Sequence, residues 1–182
     1  KLIRIIFMSK YLVALIVVFY LQVFSGEVSA ETIAHSVSIN SINRTLESQF
    51  PFSKSFQGTR VVFSEPKAVI NALDKTLKLH MVITCTEVDK ILIVNAVFKG
   101  NIQFDYFAES YLFEDLVLDK FKIHSDSFTD SNPIVKAIKQ SLINDFEDIV
   151  LVNLEQFSTE LSNRQANEID ISLKQIEFIW QL

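Results

Sequence analysis

Between Ile91 and Tyr106 one parity of the chain is apolar without a break: Leu92, Val94, Ala96, Phe98, Gly100, Ile102, Phe104 and Tyr106. The other parity runs Ile91, Ile93, Asn95, Val97, Lys99, Asn101, Gln103 and Asp105, apolar at first and then polar. Successive side chains of a strand point to opposite faces, so one unbroken parity describes one strand with one face in a core. Such a strand is about 50 Å long at about 3.3 Å per residue, well beyond the usual length of about 5–6 residues. Gly100-Asn101 also reads as a two-residue hairpin turn. The single strand, with Gly100 at a bend or bulge, is the preferred reading.

The segments around it are also strand-like. Thr32–Ile39 alternates, with Ile33, Val37 and Ile39 on one side. Asn40 or Ser41 then caps a short helix ending at Gln49, before Pro51. Phe50, Phe52 and Phe56 read as a loop packed on the domain. Thr59–Ser64 and Lys67–Leu73 are expected as two strands divided by Pro66. Lys75–Thr84 alternates, placing Leu77, Leu79, Met81 and Ile83 together, and Glu87-Val88-Asp89-Lys90 is the turn that follows. Tyr111–Ser125 changes parity twice, which implies bulges or burial of both faces. Pro133, behind Asp130, Ser131 or Asn132, then opens a long amphipathic helix. Ile134, Ile138, Leu142, Phe146 and Ile149 form its stripe. Its end falls between Asp148 and Leu154, where Ile149–Leu154 reads equally as an edge strand, with strand the preferred reading of its last part. Two short strands, around Ile169–Leu173 and Ile176–Leu182, complete the order.

Residues 1–30 read as an address rather than as part of the fold. Lys10 precedes the apolar run Tyr11–Phe24, and Val28-Ser29-Ala30 supplies small residues. That is the pattern of a secretory signal peptide cut after Ala30, and the segments upstream of Met8 are set aside. The rival is an uncleaved inner-membrane anchor, which needs roughly 20 apolar residues; the run here is shorter. Export to the periplasm is therefore expected, with 31–182 as one domain. Without 1–30 the chain has 14 basic and 21 acidic residues, a net charge of -7. That balance speaks against nucleic acid and against an anionic membrane surface as partners, and leaves membrane contact at most transient. Cys85 is the only cysteine, so no intramolecular disulfide forms, and its strand-like surroundings make it a buried small hydrophobe.

This order resembles the YceB-like family of bacterial periplasmic proteins, usually lipoproteins, whose role is uncharacterised. The likeness is carried by the early SVSINSINRTLES segment, the strand Gly100–Asp105, the strand Tyr111–Leu118, the helix 134–148 and the terminal pair 169–182. It implies an α+β fold in which a long, strongly curved antiparallel sheet wraps one long amphipathic helix, with a short N-terminal helix, as in half of a tubular lipid-binding module. It also implies that acyl chains lie between sheet and helix. The family is typically lipidated at a cysteine beside the cleavage site, whereas this chain reads Phe24-Ser25-Gly26-Glu27 there.

The residues offer little catalytic chemistry. His35, His80 and His124 sit in three separate strands without metal-ligand spacing, and no G-x-S-x-G elbow occurs. The expectation is a non-enzymatic protein without a cofactor or metal. Its apolar ligand would lie along Leu79, Met81, Ala96, Phe98, Ile102, Phe104, Ile138, Leu142 and Phe146. Asp145, at the edge of the helical stripe, would orient the ligand's head group. The alternative is an envelope scaffold with a fully packed core.

Overall fold

The computed structural model describes residues 31–56, 58–71, 73–144, 149–157, 161 and 164–181, without the side chains of 137, 140–144 and 156. Residues 32–181 form one unit. Its strands are β1 (Thr32–Ser38), β2 (Phe52–Phe56), β3 (Thr59–Asn71), β4 (Thr76–Glu87), β5 (Lys90–Asp105), β6 (Ser110–Asp126), β7 (Ile149–Asn153), β8 (Glu168–Ile171) and β9 (Gln175–Gln181). The helices are α1 (Ile39–Gln49) and α2 (Asn132–Asn144). One antiparallel sheet has the order β2-β3-β4-β5-β6-β7, and a second has the order β1-β9-β8.

Strand β5 is continuous, as its parity requires. Leu92, Val94, Ala96 and Phe98 are buried, and Ile102 and Phe104 are partly buried against the same core. Asn95, Asn101 and Gln103 are exposed on the other face. Leu77, Leu79, Met81, Ile83 and Cys85 of β4 are buried beside it. The core is thus the inner face of the large sheet.

Bulges curl this sheet. The pairing of β5 with β6 shifts at three places, between Ile93 and Val94, Val97 and Phe98, and Lys99 and Asn101. At each of them β6 spends one residue more than β5, and such insertions bend a strand and increase its twist. Asp119 is the extra residue at the second, where its carboxylate meets Lys78 of β4 at 3.1 Å and Lys99 of β5 at 2.7 Å. At the third, Asp115 takes a positive φ of 52°, and its carboxylate accepts bonds from Asn101 and Gln103. Gly100 lies opposite, so close to β6 that a Cβ there would stand 2.6 Å from the Glu114 carbonyl oxygen. Pro66 does not divide β3. With Glu65 it forms another bulge, between Ser64 and Lys67, where a missing N–H breaks no rung of the ladder.

Helix α1 ties together the two sides of the curl. Ser38 caps it through a hydroxyl bond from the Ser41 N–H, and Ile42 and Leu46 are buried. β2 covers only Thr59–Phe63 of β3, so the rest of that edge needs other partners. Asn43 supplies one, accepting from the Ala68 N–H at 2.7 Å and donating to the Ala68 carbonyl at 3.4 Å. Gln49 does the same at the far edge, accepting from Val150 N–H of β7 at 3.0 Å and donating to its carbonyl at 2.8 Å. Two side-chain amides thus occupy backbone groups on strands at opposite sides of the sheet, which also protects those edges from pairing elsewhere.

The α+β plan, with a sheet wrapped around one long amphipathic helix, is overturned. The fold is mostly β, and α2 has 13 residues, about 20 Å of helix against a 16-residue β5 of about 53 Å. The helical stripe does not run on through Ile149–Asn153, because that segment belongs to the sheet. Val150 and Val152 are β-branched, and the segment pairs with Ser110–Phe113 of β6, where Ile149, Leu151 and Val152 are buried. Other elements cover what α2 cannot reach. Phe178 of β9 packs its ring 4.2 Å from that of Tyr111, and Trp180 and Ile176 are buried beside it. The Phe-rich segment expected as a loop is strand β2, with Phe52 stacked 4.8 Å from Phe63.

Candidate functional site

The residues expected to line a groove do not share one space. Leu79, Met81, Ala96 and Phe98 come together at the middle of the inner face, where Leu79 pairs with Phe98 and Met81 with Ala96. None is more than 2% exposed, so this stretch is packed by protein. Phe104 lies farther along β5, with its ring 5.2 Å from Tyr111 and 4.8 Å from Tyr106. Ile102 and Ile138 stand in two different clefts. The side chain of Leu142, and Asp145 and Phe146 altogether, lie outside the described residues.

The first cleft opens where α2 begins, at the end of the sheet that carries the β4–β5 turn. Its volume is about 240 Å³, and Phe56, Phe128, Ile134 and Ile138 give it apolar walls. Its polar groups come from Thr59, Glu87, Lys90, Thr129 and Asp130. The loop leading to α2 is pinned to the sheet: the Ser127 N–H donates to the Ile91 carbonyl, and the Ser127 hydroxyl accepts from the Ile91 N–H at 2.7 Å. That anchorage sets Phe128 beside β5, and the Lys90 ammonium lies 5.7 Å from the Phe128 ring centroid. Farther along α2, the Lys139 ammonium lies 4.8 Å from the Phe121 ring.

The second cleft, of about 270 Å³, lies between the two sheets. Leu77, Ile102, Ile169 and Ile171 line it together with Gly100, and Lys75, Thr76 and Asn101 add polar groups. Lys75 crosses between the sheets to Asp170 of β8 at 2.8 Å. Both partners are largely exposed, which makes this bridge a weak tie.

Phe56, Phe128, Ile169 and Ile171 were not among the expected lining residues. Their apolar character was visible, but the contacts that bring them to a cleft are long-range, and no local spacing encodes them. The histidines stay apart, on β1, β4 and β6. His35 sets its ring 4.1 Å from Phe157. Among the described residues no group of three or more His, Cys, Asp or Glu side chains is placed to hold a metal ion, and no helix is long and apolar enough to cross a membrane. Cys85 is buried, and burial pushes its thiol up to about 11. Burial also raises Tyr111, whose hydroxyl oxygen accepts a bond from the Ala166 N–H at 2.7 Å.

No family model matches the chain, and no curated protein matches it.

Proposed function

We propose that the chain is a non-enzymatic periplasmic module that binds an elongated apolar ligand, such as a lipid, at the mouth between the sheet and α2. The observation that carries this reading is the composition of the first cleft: an apolar floor of Phe56, Phe128, Ile134 and Ile138 under polar groups that include Lys90 and Thr129. An amphiphile has the same division, with a tail to bury and a head group to solvate. Burial of the tail contributes about 25 cal/mol per Å² covered. At about 240 Å³ the cleft falls below the roughly 300–1,000 Å³ of pockets that enclose a whole small molecule. It therefore seats the end of a chain, and a longer ligand lifts α2 away from β6. The likeness to the YceB-like proteins, and the signal-like segment 1–30, support the same proposal.

The test is binding of a fluorescent fatty acid, together with native mass spectrometry of the gently purified protein. Ile134→Trp, which fills the cleft from its wall, should lower probe uptake at least tenfold while leaving the melting temperature nearly unchanged. Fractionation should place a cleaved product in the periplasm, beginning near Glu31. One observation favours a second reading, an envelope scaffold. The inner face around Ala96 is packed by the protein itself. A parent chain that carries no added mass and takes up no probe would overturn the first reading and leave the scaffold as the one to test.

A further inference from the structure

Residues 31–182 are acidic overall, with 14 basic groups against 21 acidic ones, yet the strand register gathers five of those basic groups on the outer face of the large sheet. Lys67, His80, Val97 and Lys120 form one row across β3, β4, β5 and β6. Val69, Lys78, Lys99 and Val117 form the next. On the other side of the first row, Lys122 stands opposite Asn95. Strands lie about 4.8 Å apart and same-face rows about 7 Å apart, so this patch measures roughly 14 Å in each direction.

Its charge is offset only in part, and mainly at the end near Gly100. Asp119 is held between Lys78 and Lys99. Glu65 lies at the β3 bulge beside Lys67, and Asp74, Asp115 and Glu114, which stands opposite Asn101, fringe the end near Gly100. Lys67, Lys120 and Lys122 are exposed, and none forms an ion pair with a described residue. The field is felt by His80, which is held below its ordinary value by partial burial and then by Lys67, Lys78 and Lys120.

We propose that this outer face docks on a bilayer surface of anionic phospholipids. Three features select that partner. Across β4, β5 and β6 the face is open sheet, and the cleft at its β3 end, which Lys67 shares with Arg44, Glu47 and Glu65, carries two carboxylates that disfavour a single bound anion. Its five cations are all lysines, whose compact charge asks for no fixed geometry, whereas Arg44, Arg60 and Arg164, which would favour bidentate recognition of one group, lie outside these rows. Val117, 63% exposed, adds apolar surface in the same row as Lys78 and Lys99. The acidic groups elsewhere on the domain do not prevent this contact. At physiological salt their repulsion is screened beyond about 8 Å.

The experiment is co-sedimentation of the full chain with two kinds of vesicle, phosphatidylcholine alone and an equal mixture with phosphatidylglycerol. The apolar run 11–24 holds to either composition, so the readout is the difference between the two. The parent should prefer the anionic vesicles and lose that preference as salt rises. Each lysine near the surface contributes about 5-fold, so the triple variant Lys67→Gln, Lys120→Gln, Lys122→Gln should weaken anionic binding about 100-fold. Lys136→Gln, on exposed α2, should change little, and an unchanged melting temperature shows that the triple variant is folded. Ile134→Trp should leave vesicle binding intact, so a failure of the cleft reading and a failure of this one are separable. A parent that does not distinguish the two vesicles, or a folded triple variant that binds like the parent, overturns the proposal.

Discussion

Replacing Gly100 by alanine tests how the sheet is curled. The added methyl would stand 2.6 Å from the Glu114 carbonyl oxygen, 3.0 Å from Leu116 Cδ2 and 3.1 Å from Phe113 Cε2. The nearest of these atoms is backbone, so no side-chain rotation relieves it. The carbonyl has to retreat by about 0.8 Å to reach ordinary contact. Glu114 is paired with Asn101 beside the bulge, and that rung weakens when it moves. Overpacking costs typically 1–3 kcal/mol, and the loss of one backbone hydrogen bond about 1 kcal/mol. Removing glycine's freedom from the unfolded chain returns about 0.4–1 kcal/mol. The net expectation is a loss of about 2 kcal/mol, which in a domain of this size lowers the melting temperature by about 4–8 °C.

The assay is urea unfolding followed by circular dichroism, with Gly58 as the comparison. Gly58 has open space around its Cβ position but a φ of 89°, so alanine there is strained only by its backbone. Asparagine, which tolerates a left-handed backbone better than most residues, should therefore recover stability at Gly58 relative to alanine. At Gly100 it should do no better than alanine. A Gly100→Ala protein as stable as the parent would refute the close approach, and with it the bulge that bends β5 against β6.

Three further outcomes are expected. Phe104→Asp should cost several kcal/mol, because it places an unpaired charge against Tyr111, while Asn95→Asp, exposed on the other face opposite Lys122, should cost less than 1 kcal/mol; paired denaturant midpoints check this. Cys85 should resist a thiol reagent at pH 8 in the folded protein and react fully in urea, since burial pushes its thiol up to about 11. Asp119 is held below its ordinary value of 3.8 by Lys99 and Lys78. A carboxylate lowered on folding stabilises above its unfolded value, and that contribution fades as pH falls through the lowered folded one. Asp119→Asn should accordingly narrow the stability difference between pH 7 and pH 2, as read by melting temperature.

Much of the sheet was legible in the sequence, because a strand's faces alternate with a period fixed by the backbone. Leu77–Ile83 and Leu92–Phe104 could be assigned to the core by parity alone, and of the two readings that the untidy parity of Tyr111–Ser125 allowed, bulges or burial of both faces, β6 contains bulges. The helix was misjudged for a related reason. Ile134, Ile138 and Leu142 recur at helical spacing, but Ile149–Asn153 continues the apolar pattern while pairing with β6. Periodicity cannot separate the two states of a short apolar run; the open edge of β6 decides. Pro66 likewise reads locally as a break, and only the strand opposite it makes a bulge the lower-energy solution.

The candidate sites were less legible than the fold. Parity marks a residue as inward, but it does not say whether the space it faces is filled. Ala96 and Ile102 share one face of one strand, yet Ala96 is sealed between Met81 and Phe121 while Ile102 borders a cleft completed by Ile169 and Ile171. The net charge of -7 was a true property of residues 31–182, and it concealed the basic face. Lys67, Lys78, Lys99 and Lys120 are spread over more than fifty positions of sequence, and only the register of four paired strands sets them side by side. The sequence determined which residues turn inward and which outward, because that depends on backbone geometry within one strand. Tertiary structure alone decided which of them meet, because bulges, strand order and the double grip of α1 act between segments far apart in the chain.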